Sequence, residues 1–190
     1  MKRRLKHGTV IPMSPLRLVA AVTILLASVG TPAAAQSSAS VSVVYFDLGN
    51  ILVKRAPDAP RPTIWIEGSQ DALVRLNESG VRLGILSNTG NFSWQQVRDE
   101  TLPEDFDVTI FQEELIVVSS AVGVQKPDPG IFAYAIEHAG VPPGDILFIT
   151  ESVDHVIAAQ AAGMRALWVT EGQLPQLVTE LLERNVVGTD

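Results

Sequence analysis

From residue 41 to residue 183, short runs of β-branched and aromatic residues alternate with stretches of helical periodicity, and this alternation narrows the fold more than any other feature. Residues 41–46, 83–86, 115–118, 146–149 and 166–169 read as strands. A helix is expected from Ser69, as N-cap, to a stop at Gly80; a second over residues 92–101 is capped by Asn91. Asp128 followed by Pro129 places a capping residue before proline at the first helical position, opening a helix that runs to Gly140. Residues 153–162 form a small-residue helix closed by Gly163, and residues 174–183 a last helix. Residues 54–62 hold Pro57, Pro60 and Pro62 among charges and are expected to be an irregular loop. Strands that alternate with helices imply crossover connections. The expected architecture is therefore a doubly wound α/β fold, a parallel sheet with helices on both faces.

In that fold ligands gather beyond the carboxyl ends of the strands, so the polar residues that follow each apolar run are the ones to inspect. They are Asp47, the pair Ser87-Asn88, Lys126 in the loop before the Asp128 helix, and Thr150-Glu151. Two acids, a hydroxyl-amide pair and a cation suit phosphoryl chemistry. Carboxylates hold magnesium, donors hold phosphate oxygens, and lysine offsets the crowded negative charge.

The same residues resemble the four motifs of the haloacid dehalogenase superfamily, in order. Phe46-Asp47-Leu48-Gly49-Asn50-Ile51-Leu52 is similar to the first, Leu86-Ser87-Asn88-Thr89 to the second, Gln125-Lys126-Pro127-Asp128-Pro129-Gly130-Ile131-Phe132 to the third and Ile149-Thr150-Glu151-Ser152 to the fourth. The resemblance covers roughly residues 41–170. It implies a Rossmann-like fold and a hydrolase, most often a magnesium-dependent phosphatase of small phosphate esters that forms an aspartyl-phosphate on Asp47. By the same resemblance, magnesium is held by Asp47, the Gly49 carbonyl and Glu151. Ser87 and the Asn88 amide bind the phosphoryl group, and Lys126 orients Asp47.

Three departures from the family pattern matter. Family phosphatases usually carry a second aspartate two residues after the nucleophile, where this chain has Gly49; a branch resembling sugar-1-phosphate phosphatases shares its Asp-Leu-Gly-Asn start and its Ser-Asn-Thr second motif. The fourth motif, commonly an Asp-Asp pair, is Thr150-Glu151. The spacings from Asp47 to Ser87 and from Ser87 to Lys126 leave no room for a separate cap domain, which predicts an open site. Two other readings stay open: a binding protein that keeps the fold without turnover, and a metal-independent dehalogenase in which Arg55 or Arg61 serves the halide. Asp154 is read as a helix-start residue and His155 as a helix residue with a smaller claim to chemistry; His138 is given none. Trp65 and Trp94 are read as packing residues before pocket-rim residues.

Residues 1–35 hold Lys2, Arg3, Arg4, Lys6 and Arg17 without an acid, then the apolar run of residues 18–29 and Ala33-Ala34-Ala35. This is the layout of a signal peptide cut near Ala35, whether translation starts at Met1 or Met13. The apolar run is too short for a stable membrane anchor. The exported domain, residues 36–190, keeps nine basic against 21 acidic residues, a formal charge of −12, which argues against nucleic acid as a partner. With no cysteine there is neither a disulfide nor a thiolate metal site, and a hydrophobic core must provide the stability.

Overall fold

The structure is a computed structural model that describes residues 40–59 and 61–188; the expected signal segment lies outside the described residues. Five strands, β1 (Val43–Phe46), β4 (Arg82–Ser87), β5 (Ile116–Val118), β6 (Ile146–Thr150) and β7 (Arg165–Trp168), form a parallel sheet in the order β5-β4-β1-β6-β7. Helices α1 (Ser69–Glu78), α4 (Pro129–Ala139) and α5 (Val153–Ala161) lie in crossovers between strands and α6 (Leu174–Glu183) follows β7, with two short helices, α2 (Trp94–Gln96) and α3 (Ser119–Val122), between β4 and α4. The doubly wound expectation therefore describes the sheet correctly. No helix among the described residues is long and apolar enough to cross a membrane.

The central strand shows why the sheet is covered on both sides. Every residue of β1 is buried. Side chains of a strand alternate between faces. Val44 and Phe46 accordingly join a cluster with Leu73 and Leu76 of α1 and Val178 and Leu181 of α6. Val43 and Tyr45 join the opposite cluster, with Ile131, Phe132 and Ala135 of α4 and Ala159 of α5. Fully burying one such aliphatic or aromatic side chain stabilises the fold by about 1.5–3 kcal/mol. Gly84 marks the tightest approach, because a Cβ there would stand 2.7 Å from both the Leu115 carbonyl and the Tyr45 ring.

Strand order sets the position of the site. The chain leaves β1 for β4 and β5 on one side, then returns to add β6 and β7 on the other. The crevice at such a reversal opens at the carboxyl end of β1, and Asp47 is the residue that follows β1.

Three local expectations are corrected. Residues 54–62 are not wholly irregular: β2 (Val53–Arg55) and β3 (Thr63–Trp65) pair antiparallel, Val53 opposite Trp65 and Arg55 opposite Thr63. Ser69 is not a cap, since Gly68 occupies the N-cap position and the buried Ser69 hydroxyl donates to the Ile51 carbonyl at 3.1 Å. The helix expected over residues 92–101 starts instead at Ser93, which forms a reciprocal capping box with Gln96, and it widens into a π-turn over Val97–Thr101.

Candidate active site

Four of the five parallel strands, or the loops just past them, deliver polar side chains to one place. Asp47, Ser87, Lys126 and Thr150 are all buried, between 0% and 6% exposed. Burial of polar groups this deep requires partners. Asp47 has them on both oxygens. Its Oδ1 accepts from the Leu48 amide at 3.0 Å and from the Ser87 hydroxyl at 3.3 Å. Its Oδ2 accepts from Lys126 Nζ at 2.5 Å and from the Thr150 hydroxyl at 3.3 Å, with His155 Nδ1 at 3.6 Å.

Burial pushes the Asp47 carboxyl upward, but the Lys126 ammonium, which also donates to it, and the nearby His155 ring outweigh this and hold it below the usual carboxylate range. Asp47 is thus an anion at neutral pH. Burial draws the Lys126 ammonium downward, and Asp47 opposes that shift. Lys126 also donates to the Leu86 carbonyl at 2.7 Å and stands 5.0 Å from the centre of the Phe148 ring, so its head group is fixed rather than swinging. Its backbone is clasped by Asn88, whose side-chain amide donates to the Lys126 carbonyl at 2.9 Å and whose oxygen accepts from the Lys126 amide at 2.8 Å. Asp128 caps α4 two residues later, accepting from the Gly130 amide at 2.7 Å as expected.

The remaining residues fall into place around this core. Gly49 is exposed, and a Cβ built there would meet nothing within 4 Å. Glu151 follows β6, its backbone carbonyl accepting from the Trp168 indole at 2.7 Å. Asp154 is exposed in the first turn of α5, as the helix-start reading has it. Trp65 stacks on Phe106 with ring centres 4.6 Å apart, and Trp94 packs against the core, so both serve packing. His138 stacks on Tyr134 in the last turn of α4.

Sequence reasoning underrated two residues. Thr150, a strand-end polar residue given no role of its own in the sequence reading, has its hydroxyl 3.3 Å from Asp47 and 3.5 Å from Glu151. With one hydrogen to donate, it serves one carboxylate at a time and ties the two acids together. The signal was available, because Thr150 is a polar residue closing an apolar run. His155 comes within 3.4 Å of that hydroxyl as well as near Asp47. Its place in the first turn of α5, just past the fourth motif, and its titratable ring are the signals the sequence offers.

The donor set can be tested against magnesium. Asp47 and Glu151 carboxylates and the Gly49 carbonyl are hard oxygen donors, and the Thr150 hydroxyl keeps both acids in one neighbourhood. Among the described residues no group of three or more His, Cys, Asp or Glu side chains is arranged to hold a metal ion. Magnesium does not require one, since it commonly takes one or two carboxylates and keeps several waters. The set fits that ion in kind.

A buried, ionised aspartate at the reversal point of a parallel α/β sheet, salt-bridged to lysine and flanked by hydroxyl donors, presents a fixed carboxylate that is chemically able to attack an electrophile or to hold a cation. Comparison with known proteins agrees: the family model for haloacid dehalogenase-like hydrolases matches residues 41–163. The chain belongs to the haloacid dehalogenase-like hydrolase family. It is 30% identical over 112 residues to phosphoglycolate phosphatase 1 of Pseudomonas aeruginosa, covering 55% of this chain and 36% of that protein. It is 28% identical over 111 residues to glyceraldehyde 3-phosphate phosphatase of Pyrococcus abyssi, covering 57% of this chain and 43% of that protein. The chain thus spans less than half the length of these relatives. In fold it is similar to a HAD family enzyme from Bacteroides thetaiotaomicron solved with magnesium and inorganic phosphate, at a TM-score of 0.58 and 18% identity, covering 70% of this chain and 96% of that one.

Proposed function

We propose that the chain is a magnesium-dependent phosphatase of small phosphorylated metabolites, acting through an aspartyl-phosphate on Asp47. The observation that carries this reading is the ionised Asp47 carboxylate, held in place by Lys126, Ser87 and the Leu48 amide. Both relatives are phosphatases by name, and the related fold from Bacteroides thetaiotaomicron was solved with magnesium and phosphate.

In this reading an Asp47 oxygen attacks phosphorus, the ester P–O bond breaks, and the alcohol leaves after taking a proton from solvent. Water then attacks the phosphorus of the acyl phosphate, releasing inorganic phosphate and restoring the carboxylate. Ser87 and the Asn88 amide hold the phosphoryl oxygens, and Lys126 keeps Asp47 ionised and oriented. Asp47, the Gly49 carbonyl and Glu151 would hold magnesium, which when bound would supply positive charge to the phosphoryl oxygens. The layout of residues 1–35 supports export, with cleavage near Ala35 and work outside the cytoplasm.

The purified protein is expected to hydrolyse p-nitrophenyl phosphate and small phosphate monoesters with magnesium, to stop when the ion is chelated, and to resume when it is restored. Stable protein that turns over no ester in excess magnesium would refute the reading and leave a binding role. Gly49 provides a second check. Its neighbourhood is open, and Gly49→Asp would place an acid where family phosphatases carry one. That variant is expected to raise kcat about tenfold on alkyl phosphates, whose alcohols leave poorly, and to change little on p-nitrophenyl phosphate. Measured kcat values on both substrates decide it.

A further inference from the structure

Beside Asp47 lies a cavity of about 190 Å³, between the β2–β3 hairpin and the segment that follows β4. This is small compared with the roughly 300–1,000 Å³ of sites for drug-sized ligands. Leu48, Gly49, Ser87 and Asn88 line the part that belongs to the phosphoryl site. Val53, Thr63, Val97, Thr101 and Leu102 line the remainder, together with Thr89. The hairpin and the π-turn therefore flank the open site expected from the missing cap.

None of these lining residues carries a charge. Their hydroxyl hydrogens are already committed inside the protein. Thr63 donates to the Thr101 carbonyl at 2.5 Å, Thr101 to the Val97 carbonyl at 2.6 Å, and Thr89 to the Ser120 hydroxyl at 3.0 Å. The Asn88 side-chain amide is engaged with Lys126. What these threonines offer a ligand is methyl surface and hydroxyl lone pairs, which accept hydrogen bonds but do not donate them. A carboxylate or second phosphate placed there would meet neither a counterion nor a free hydroxyl donor among these residues. Arg55 stands opposite Thr63 on the hairpin, but it is exposed and does not line the cavity.

Resting on the phosphatase reading above, we infer that this cavity receives the leaving group, and that it selects short, uncharged alcohols or polyols over those that bear a carboxylate. Hydroxyl hydrogens of a polyol meet the lone pairs of Thr63 and Thr101, and its carbons meet Val53, Val97 and Leu102. The phosphoryl group remains with Ser87 and Lys126.

Glycerol 3-phosphate and 3-phosphoglycerate make the direct test, because they share a three-carbon frame and differ in a terminal CH₂OH against a carboxylate. With the magnesium-loaded protein, kcat/KM is expected to be at least tenfold higher for glycerol 3-phosphate. Arg55→Gln is expected to leave that ratio unchanged, and Thr63→Lys, which puts a cation in the wall, to move it toward 3-phosphoglycerate. A wild-type ratio near one, or a preference for 3-phosphoglycerate that Arg55→Gln removes, overturns the inference. Calorimetric binding of the same two esters keeps the two claims apart. Tenfold tighter binding of glycerol 3-phosphate without turnover would support the selective cavity and refute the phosphatase, whereas no difference in either measurement overturns the selectivity.

Discussion

Asp47→Asn is expected to lower kcat on any phosphate monoester by about 10⁴-fold or more while leaving a folded protein that still binds the ester. Asparagine keeps the size and planarity of the side chain. Its amide oxygen can still accept from the Leu48 amide and the Ser87 hydroxyl, which stand 3.0 and 3.3 Å from Asp47 Oδ1. What it lacks is the charge and the nucleophilic lone pair. The loss should therefore fall on kcat, with KM changing far less, because the interactions that hold substrate are made by other residues. Steady-state kinetics on p-nitrophenyl phosphate, with circular dichroism to confirm folding, measures this. A variant that kept a tenth of the wild-type rate would mean that water, not Asp47, attacks phosphorus. A trapped acyl phosphate on Asp47, seen by mass after rapid acid quench of the wild type, would support the same step independently.

The position of Asp47 was legible because β1, β4 and β6 are runs of buried apolar residues that each stop at a polar one. Central parallel strands are covered on both faces, so the first polar residue after such a run marks the edge of the core and the opening of the crevice. Helix α4 was equally readable, since an aspartate cap followed by proline is a local signal. Hairpin β2–β3 was not. Each of its strands has three residues, set among prolines and charges, and the pairing of Lys54 with Ile64 arises across the loop rather than from any neighbouring pattern. The π-turn over Val97–Thr101 escaped for a similar reason, because a helix that widens within one turn shows no stable period. These two missed elements are the ones that wall the cavity beside Asp47. The residues of the reaction could be read from strand ends, whereas the shape offered to the leaving group came from short elements fixed by tertiary packing. His155 belongs to that second kind, because its approach to Asp47 depends on how α5 packs against β6.

Lys126→Met should destabilise the protein by about 3–5 kcal/mol, the cost of leaving a buried charge without its partner. The Asp47–Lys126 contact is 2.5 Å long, with side-chain exposures of 9% and 0%, so neither group can turn to water when the other is removed. Asp47 alone would keep its hydrogen bonds to Leu48, Ser87 and Thr150, but burial would then push its carboxyl toward the protonated form. Asp47→Asn leaves the complementary problem, and a milder one, because burial already draws the Lys126 pKa down and the ammonium can release its proton. Combining Asp47→Asn with Lys126→Met removes both charges. The double variant is expected to recover most of the loss seen in Lys126→Met, giving a coupling energy of about 2–3 kcal/mol in a double-mutant cycle. Acid should erase the advantage of the wild-type pair in a definite direction. The Asp47 pKa is lower in the folded protein than in the unfolded chain, so its contribution is complete above the ordinary carboxylate value of about 4 and is lost as the pH falls through the folded value. Urea unfolding of the four proteins at pH 7, repeated at pH values below about 4, measures both effects. Additive losses at pH 7 would show that the pair contributes nothing beyond its members, and that Lys126 is placed for the reaction alone.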